Sequence, residues 1–302
     1  MRSTAARMNA AHSMHKTLVD TATLANHLDD PQWVIVDCRF TLTDVEAGAR
    51  AYAVGHIPGA RYAHLDRDLS GPITPGSGRH PLPDPAVLAQ TLGRWGIDAD
   101  KQVVVYDDSF GAMASRLWWM LRWLGHEAVA LLDGGLPKWR RERHPTTAST
   151  AVVAPSTFRA HADNTMWLDS ESLRAGLARG EYRLMDARSE ERFRGDVEPL
   201  DRVAGHVPGA VNLPFEDNLD LGGEFLPASA LRSLYLTLLD EKSPERAVQM
   251  CGSGVTACHN LLAMEHAGLL GAKLYAGSWS EWITDPRRPV ATGDAAAEGA
   301  GR

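Results

Sequence analysis

Half of this chain is written twice. The stretch Gly55-His56-Ile57-Pro58-Gly59-Ala60 returns as Gly205-His206-Val207-Pro208-Gly209-Ala210. Each copy follows an apolar run ending in an acid, Trp33-Val34-Ile35-Val36-Asp37 in the first half and Tyr182-Arg183-Leu184-Met185-Asp186 in the second. The acid-to-histidine spacing is 19 residues from Asp37 to His56 and 20 from Asp186 to His206. The correspondence continues. Gln102–Asp107 matches Ala247–Cys251, and a helical pattern follows each, Ala112–Leu124 and Thr256–Ala267. A short strand and turn come next, Leu131–Gly135 and Leu274–Gly277. Each unit closes on a tryptophan, Trp139 and Trp282, which lie 32 and 31 residues after Asp107 and Cys251. A repeat of this length means two copies of one domain rather than a short-period solenoid. Strands alternating with helices call for parallel sheets covered on both faces, and the right-handed crossover rule leaves few ways to connect them. The expected fold class is therefore α/β, with two tandem domains over 16–145 and 167–292. The joining segment, 146–166, is rich in Thr, Ala, Ser and His, contains Pro155 and shows weak periodicity. It reads as a surface linker, with one short strand expected at Ala151-Val152-Val153. A helix is expected from Thr21 to Leu28, capped by Asp20 or Thr21. Residues 1–19 hold Arg2, Arg7 and Lys16 with no acid and no apolar core, so they read as a tail, as does Thr292–Arg302.

The copies differ at one decisive position. Where the second carries Cys251, the first ends its strand in Asp107-Asp108. Cys251 opens the loop Cys251-Gly252-Ser253-Gly254-Val255-Thr256, between an apolar strand and a helix start. Glycines there let backbone N–H groups converge into an anion nest, and the helix behind adds its positive end. A thiol in such a place is expected to act as a thiolate nucleophile. A carboxylate cannot carry sulfur, so the first copy is expected to be catalytically inactive and to supply scaffold and one wall of a cleft.

The three cysteines, Cys38, Cys251 and Cys258, form no disulfide framework, and free thiols point to a reducing, cytoplasmic setting. Cys251 and Cys258 lack a second Cys/His pair at zinc spacing, so no metal is expected. Cys258, near two helical turns on, is expected to pack in the core. A net charge of −7 argues against nucleic acid, and no apolar run of spanning length argues for a membrane. His56 and His206, duplicated in the copy that lacks the thiol, read as histidines that hold a turn.

The Cys251–Ala257 loop, the paired Gly-His-x-Pro-Gly signatures and Gly277-Ser278-Trp279-Ser280-Glu281-Trp282 together resemble the tandem-domain rhodanese family of sulfurtransferases, over about Leu18 to Val290. Within that family the loop is similar to the branch acting on 3-mercaptopyruvate. The thiosulfate-specific relatives tend to carry cations just after the cysteine, where this chain has Gly252 and Ser253. The resemblance implies that Cys251 takes the sulfane sulfur of a small-molecule donor as a persulfide. A thiol such as thioredoxin or a small thiol, or cyanide, then accepts it. No metal or organic cofactor is implied. It implies a Ser–His–Asp relay of Ser253, His80 and Asp66. It also implies carboxylate-binding arginines at Arg192 and, with a small shift, Arg202, and a further pocket arginine at Arg116. Gly252, Gly254, Val255 and Thr256 would contact the donor through the loop.

Two other chemistries fit a thiol on a nest less well. A Cys-x5-Arg phosphatase needs a guanidinium six residues after the cysteine, and Ala257 stands there. A sulfur-carrier module for a protein partner would need Cys251 but not the carboxylate arginines. Thiosulfate, a compact dianion, would favour a more cationic loop and remains the alternative donor.

Overall fold

A computed structural model describes residues 14–294. Two five-stranded sheets account for the strands. The first contains β1 (Leu18–Val19), β2 (Trp33–Asp37), β3 (Arg61–Tyr62), β4 (Gln102–Tyr106) and β5 (Val129–Leu132). The second contains β6 (Trp167–Leu168), β7 (Arg183–Asp186), β8 (Val211–Asn212), β9 (Ala247–Met250) and β10 (Lys273–Tyr275). Their orders are β1-β5-β4-β2-β3 and β6-β10-β9-β7-β8, the same permutation twice, with every pairing parallel. The repeat in the sequence is thus a repeat of topology.

The central strands are apolar without alternation because both faces are covered. Along β2, Val34 and Val36 point into one core while Trp33 and Ile35 point into another. β4 divides in the same way, with Val103 and Val105 facing one side and Val104 and Tyr106 the other. The core that holds Val34 and Val103 also holds Met185, Ala247 and Leu274, so the two domains share it. Helices Ala114–Trp123 and Ala257–His266 lie at its centre, one from each domain. Both are buried along almost their whole length, which explains why Leu117-Trp118-Trp119-Met120-Leu121 shows little polar periodicity. The outer face of each sheet has its own cluster, closed by Trp139 in one domain and by Trp279 and Trp282 in the other.

An internal ion pair is also repeated. Asp37 binds Arg39 and Asp186 binds Arg188, each pair at 2.7 Å and fully enclosed. Each arginine also donates to a glycine carbonyl just before the histidine, Gly55 O or Gly205 O, at 2.8 Å. The histidines hold their turns as expected. His56 Nδ1 lies 2.7 Å from Tyr52 O and His206 Nδ1 lies 2.8 Å from Phe193 O, with each ring stacked on the aromatic it contacts.

Four expectations change. The strand expected at Ala151–Val153 is absent, and this stretch pairs with neither sheet. Val152 points fully into solvent, and the chain is instead pinned where Ser156 N–H donates to Gly93 O at 2.9 Å. The first helix covers Thr21–Ala25 only, although Asp20 does cap it, accepting from Thr23 N–H. The N-terminal reading is corrected at Leu18–Val19, which pair with β5; residues 1–13 of that stretch lie outside the described residues. At the other end Gly293 N–H donates to Arg194 O at 2.8 Å, which ties down the start of the expected C-terminal tail; residues 295–302 lie outside the described residues. No helix among the described residues is long and apolar enough to cross a membrane.

Candidate active site

Strand β9 ends where Cys251 begins, at the carboxyl edge of the second sheet, where parallel α/β folds place their chemistry. The thiol is buried, with 2% of the residue exposed. Gly254 N–H points at Cys251 Sγ from 3.2 Å, so the nest expected of the loop is aimed at the sulfur. Gly254 can do this because its φ is +74°; a Cβ there would also meet Ala276 O at 2.2 Å. Two further bonds fix the loop from the Gly277–Trp282 side. Trp279 N–H donates to Cys251 O at 3.0 Å and Ser280 N–H to Gly252 O at 2.9 Å. Ser278 accepts the Cys251 N–H at 3.1 Å and donates to Tyr275 O at 2.9 Å. It does so from a φ of 53°. That conformation costs a non-glycine residue about 1–2 kcal/mol and is held by these two bonds.

The first domain shows what the same nest does without a thiol. Leu136 N–H donates to Asp107 O as Trp279 N–H does to Cys251 O, so Asp107 occupies the Cys251 position. Its carboxylate is wholly buried and accepts four backbone N–H groups, from Ser109, Gly111, Met113 and Ala114, all at 2.8 Å. The first nest is filled by its own side chain.

Residues from the first domain complete the surroundings of Cys251. His80 Nδ1 lies 2.7 Å from Ser253 Oγ, and His80 Nε2 lies 3.2 Å from Asp66 Oδ1. Burial, with the Arg116 and Arg79 cations adding to it, pushes the His80 imidazolium pKa down to about 3, so the ring is neutral at pH 7. A carboxylate only accepts, so the ring proton belongs on Nε2 and Nδ1 is left to accept from the Ser253 hydroxyl. The three residues named from sequence are brought into one chain across the domain boundary.

The arginines divide. Arg192 stands over the loop: a Cβ on Gly252 would lie 3.5 Å from its Nη2. It is bound by Glu198 at 2.8 Å and Asp201 at 3.2 Å. Arg116 does not face a pocket. It is fully buried, donating from Nη1 to Gly254 O at 2.8 Å and from Nη2 to His80 O at 3.0 Å. It clamps the two loops together, its guanidinium spent on their carbonyls. Arg202 donates to Ile283 O and Thr284 O, closing the end of helix Ser278–Trp282. Of the remaining loop positions, Val255 is buried and Thr256 immediately precedes helix Ala257–His266 without a side-chain capping bond. Cys258 packs in the core as expected, its Sγ donating to Gly254 O at 3.4 Å, and burial pushes its thiol up to about 12.

Sequence reasoning missed Arg79. It sits beside His80, and a Cβ on Gly252 would lie 2.8 Å from its Nη2, closer than from Arg192. Its other nitrogen binds Asp201. The signal was Gly78, whose missing side chain lets this segment reach Gly277; a Cβ on Gly78 would lie 2.5 Å from Gly277 O. Glu198 was also missed. Burial opposes its ionisation, but the Arg192 hydrogen bond and the Leu200 and Asp201 N–H groups outweigh that and hold its carboxyl below the ordinary range.

Comparison with known proteins shows the family. The rhodanese-like domain family matches residues 20–142 and again 169–285. The chain is 50% identical over 279 residues to a probable 3-mercaptopyruvate sulfurtransferase of Pseudomonas aeruginosa, covering 92% of this chain and 98% of that one. It is 36% identical over 233 residues to thiosulfate sulfurtransferase of Gallus gallus, covering 76% and 78%. In structure it is similar to 3-mercaptopyruvate sulfurtransferase from Leishmania major, with a TM-score of 0.78, 31% identity, and coverage of 91% of this chain and 75% of that one.

Proposed function

The chain belongs to the rhodanese-like family of sulfurtransferases, and from that premise we propose that its donor is 3-mercaptopyruvate and that Cys251 carries the sulfur. The observation that carries this reading is the Ser253–His80–Asp66 chain beside Cys251. Thiosulfate already has a good leaving group in sulfite and needs no proton. A carbon-bound sulfur leaves behind an enolate, which does.

The Cys251 thiolate attacks the donor sulfur and a new S–S bond forms. The C–S bond breaks, and its electron pair stays on carbon as the enolate of pyruvate. The proton of the donor thiol is relayed through the Ser253 hydroxyl to the enolate, with neutral His80 accepting from that hydroxyl at Nδ1 and Asp66 holding the ring in the required tautomer. The donor carboxylate binds the guanidinium groups over Gly252, those of Arg79 and Arg192. Gly254 N–H, already aimed at the sulfur, stabilises the negative charge of the persulfide. An acceptor thiolate, from thioredoxin or a small thiol, or cyanide then attacks the outer sulfur and Cys251 is regenerated. Two half-reactions on one covalent intermediate give ping-pong kinetics. Arg116 is a positioning residue in this scheme.

The test is a side-by-side comparison of 3-mercaptopyruvate and thiosulfate, with Cys251→Ser as the blank. The expected result is a higher kcat/KM for 3-mercaptopyruvate, with no turnover of either donor by the variant. A higher value for thiosulfate overturns the donor; activity surviving in Cys251→Ser overturns the mechanism.

A further inference from the structure

The two guanidinium groups over Gly252 are joined by a single carboxylate. Asp201 Oδ1 binds Arg79, and Asp201 Oδ2 lies 3.2 Å from Arg192 Nη2. Its side chain is only 5% exposed. Glu198 meets Arg192 at 2.8 Å and Arg188 at 3.5 Å, and Arg188 is held by Asp186. Three guanidinium charges therefore meet three carboxylate charges, and the cluster is neutral. Arg79 and Asp201 also line a groove of about 420 Å³ with Ser77, Gly78, Arg202 and Ser280, so an incoming anion meets this pair from solvent.

We propose that Asp201 is a specificity-determining residue that selects singly charged over doubly charged sulfur donors by neutralising Arg79 and Arg192 above the Cys251 loop. The proposal rests on the reading of Arg79 and Arg192 as the anion seat. Asp201 acts through them and touches no donor. A monoanion entering a neutral cluster adds one net negative charge, and a dianion adds two. Coulomb energy is linear in the ligand's charge. If removing the Asp201 charge improves capture of a monoanion by some factor, capture of a dianion improves by its square. The ratio of dianion to monoanion use then rises by that same factor.

The experiment uses the full chain and three donors: thiosulfate, a dianion; methanethiosulfonate, a monoanion with the same sulfur–sulfur bond; and 3-mercaptopyruvate. In the first two cases Cys251 takes the outer sulfur as a persulfide, and sulfite or methanesulfinate leaves with the bonding pair. In Asp201→Asn the thiosulfate-to-methanethiosulfonate ratio of kcat/KM is expected to rise about fivefold or more, through KM, with the rise shrinking at high salt. Asp201→Glu is expected to keep the wild-type ratio. Arg79→Gln, at the other end of the bridge, moves the ratio the opposite way and serves if Asp201→Asn does not fold. An unchanged ratio in Asp201→Asn, or in Arg79→Gln if only that protein folds, overturns the proposal. The thiosulfate pair tests Asp201 without 3-mercaptopyruvate. Failure of wild type to use 3-mercaptopyruvate therefore counts against the donor assignment, and a flat ratio counts against Asp201.

Discussion

Lowering the pH should destabilise this protein through two histidines kept neutral inside it. His80 and His259 are 4% and 0% exposed. Burial pushes the pKa of each down to about 3, in the case of His80 with help from the Arg116 and Arg79 cations. In the unfolded chain each returns to about 6.5. A depressed folded pKa means that the unfolded state binds the proton first. The stabilisation is complete above the unfolded pKa and is lost as pH falls from about 6.5 toward 3. At about 1.36 kcal/mol per proton per pH unit, going from pH 7.0 to 5.5 costs about 1.3 kcal/mol at each site, or about 2.5 kcal/mol for the two. His126 and His266 are shifted down by burial too and add in the same direction. The assay is urea unfolding followed by tryptophan fluorescence at pH 7.0 and 5.5, for wild type and His80→Gln. Carboxylates that titrate in this range are common to both proteins and cancel in the comparison. The variant should lose about 1.3 kcal/mol less than wild type over the interval. If the two lose equal stability, the neutral His80 inferred from its burial is wrong.

Three other outcomes follow from the geometry. Ser253→Ala should lower kcat for 3-mercaptopyruvate by about a hundredfold or more with little change in KM, because it breaks the 2.7 Å link to His80 Nδ1 while leaving the arginines in place; stopped-flow pyruvate release measures this. Asp107→Asn should destabilise the protein by about 2–5 kcal/mol in denaturant unfolding, because an amide NH2 then faces N–H donors among the four that the carboxylate now satisfies. Gly254→Ala should cost about 1–2 kcal/mol for its left-handed backbone alone, with more from the Ala276 carbonyl. Its kcat should fall as the N–H swings away from Cys251 Sγ; unchanged kinetics would show that this N–H does not stabilise the sulfur.

Much of this could be read from residue order. The repeat gave both sheets, since a strand pattern ending in an acid and a Gly-His-x-Pro-Gly turn recur at fixed spacing. The loop after Cys251 could be placed because glycine and strand–helix punctuation are local signals. What failed depended on distance. Arg116 was expected in the pocket because the family resemblance implied it. Its neighbours Leu117-Trp118-Trp119 carried the correction, since a guanidinium on a helix buried all round must satisfy carbonyls inside. The resemblance implied Arg202 only with a small shift, and the fold turns it toward the end of a helix. Arg79 was hidden because its position depends on Gly78 meeting Gly277, residues 199 apart in sequence. Val152 was apolar in a plausible strand, but it lies in solvent and pairs with neither sheet.

The approach of Gly78 to Gly277 also bears on whether the chain can be divided. A fragment starting near Trp167 would keep the whole second sheet, the thiol and Ser253. It would lack His80, Asp66, Arg79 and the Arg116 clamp, all of which come from the other side of the cut. Such a half could accept sulfur from a donor that needs no proton, but not from one that leaves as an enolate. On the proposed relay the domain without a nucleophile is not a spent duplicate: losing it would narrow the reaction as well as open the core that the two halves share.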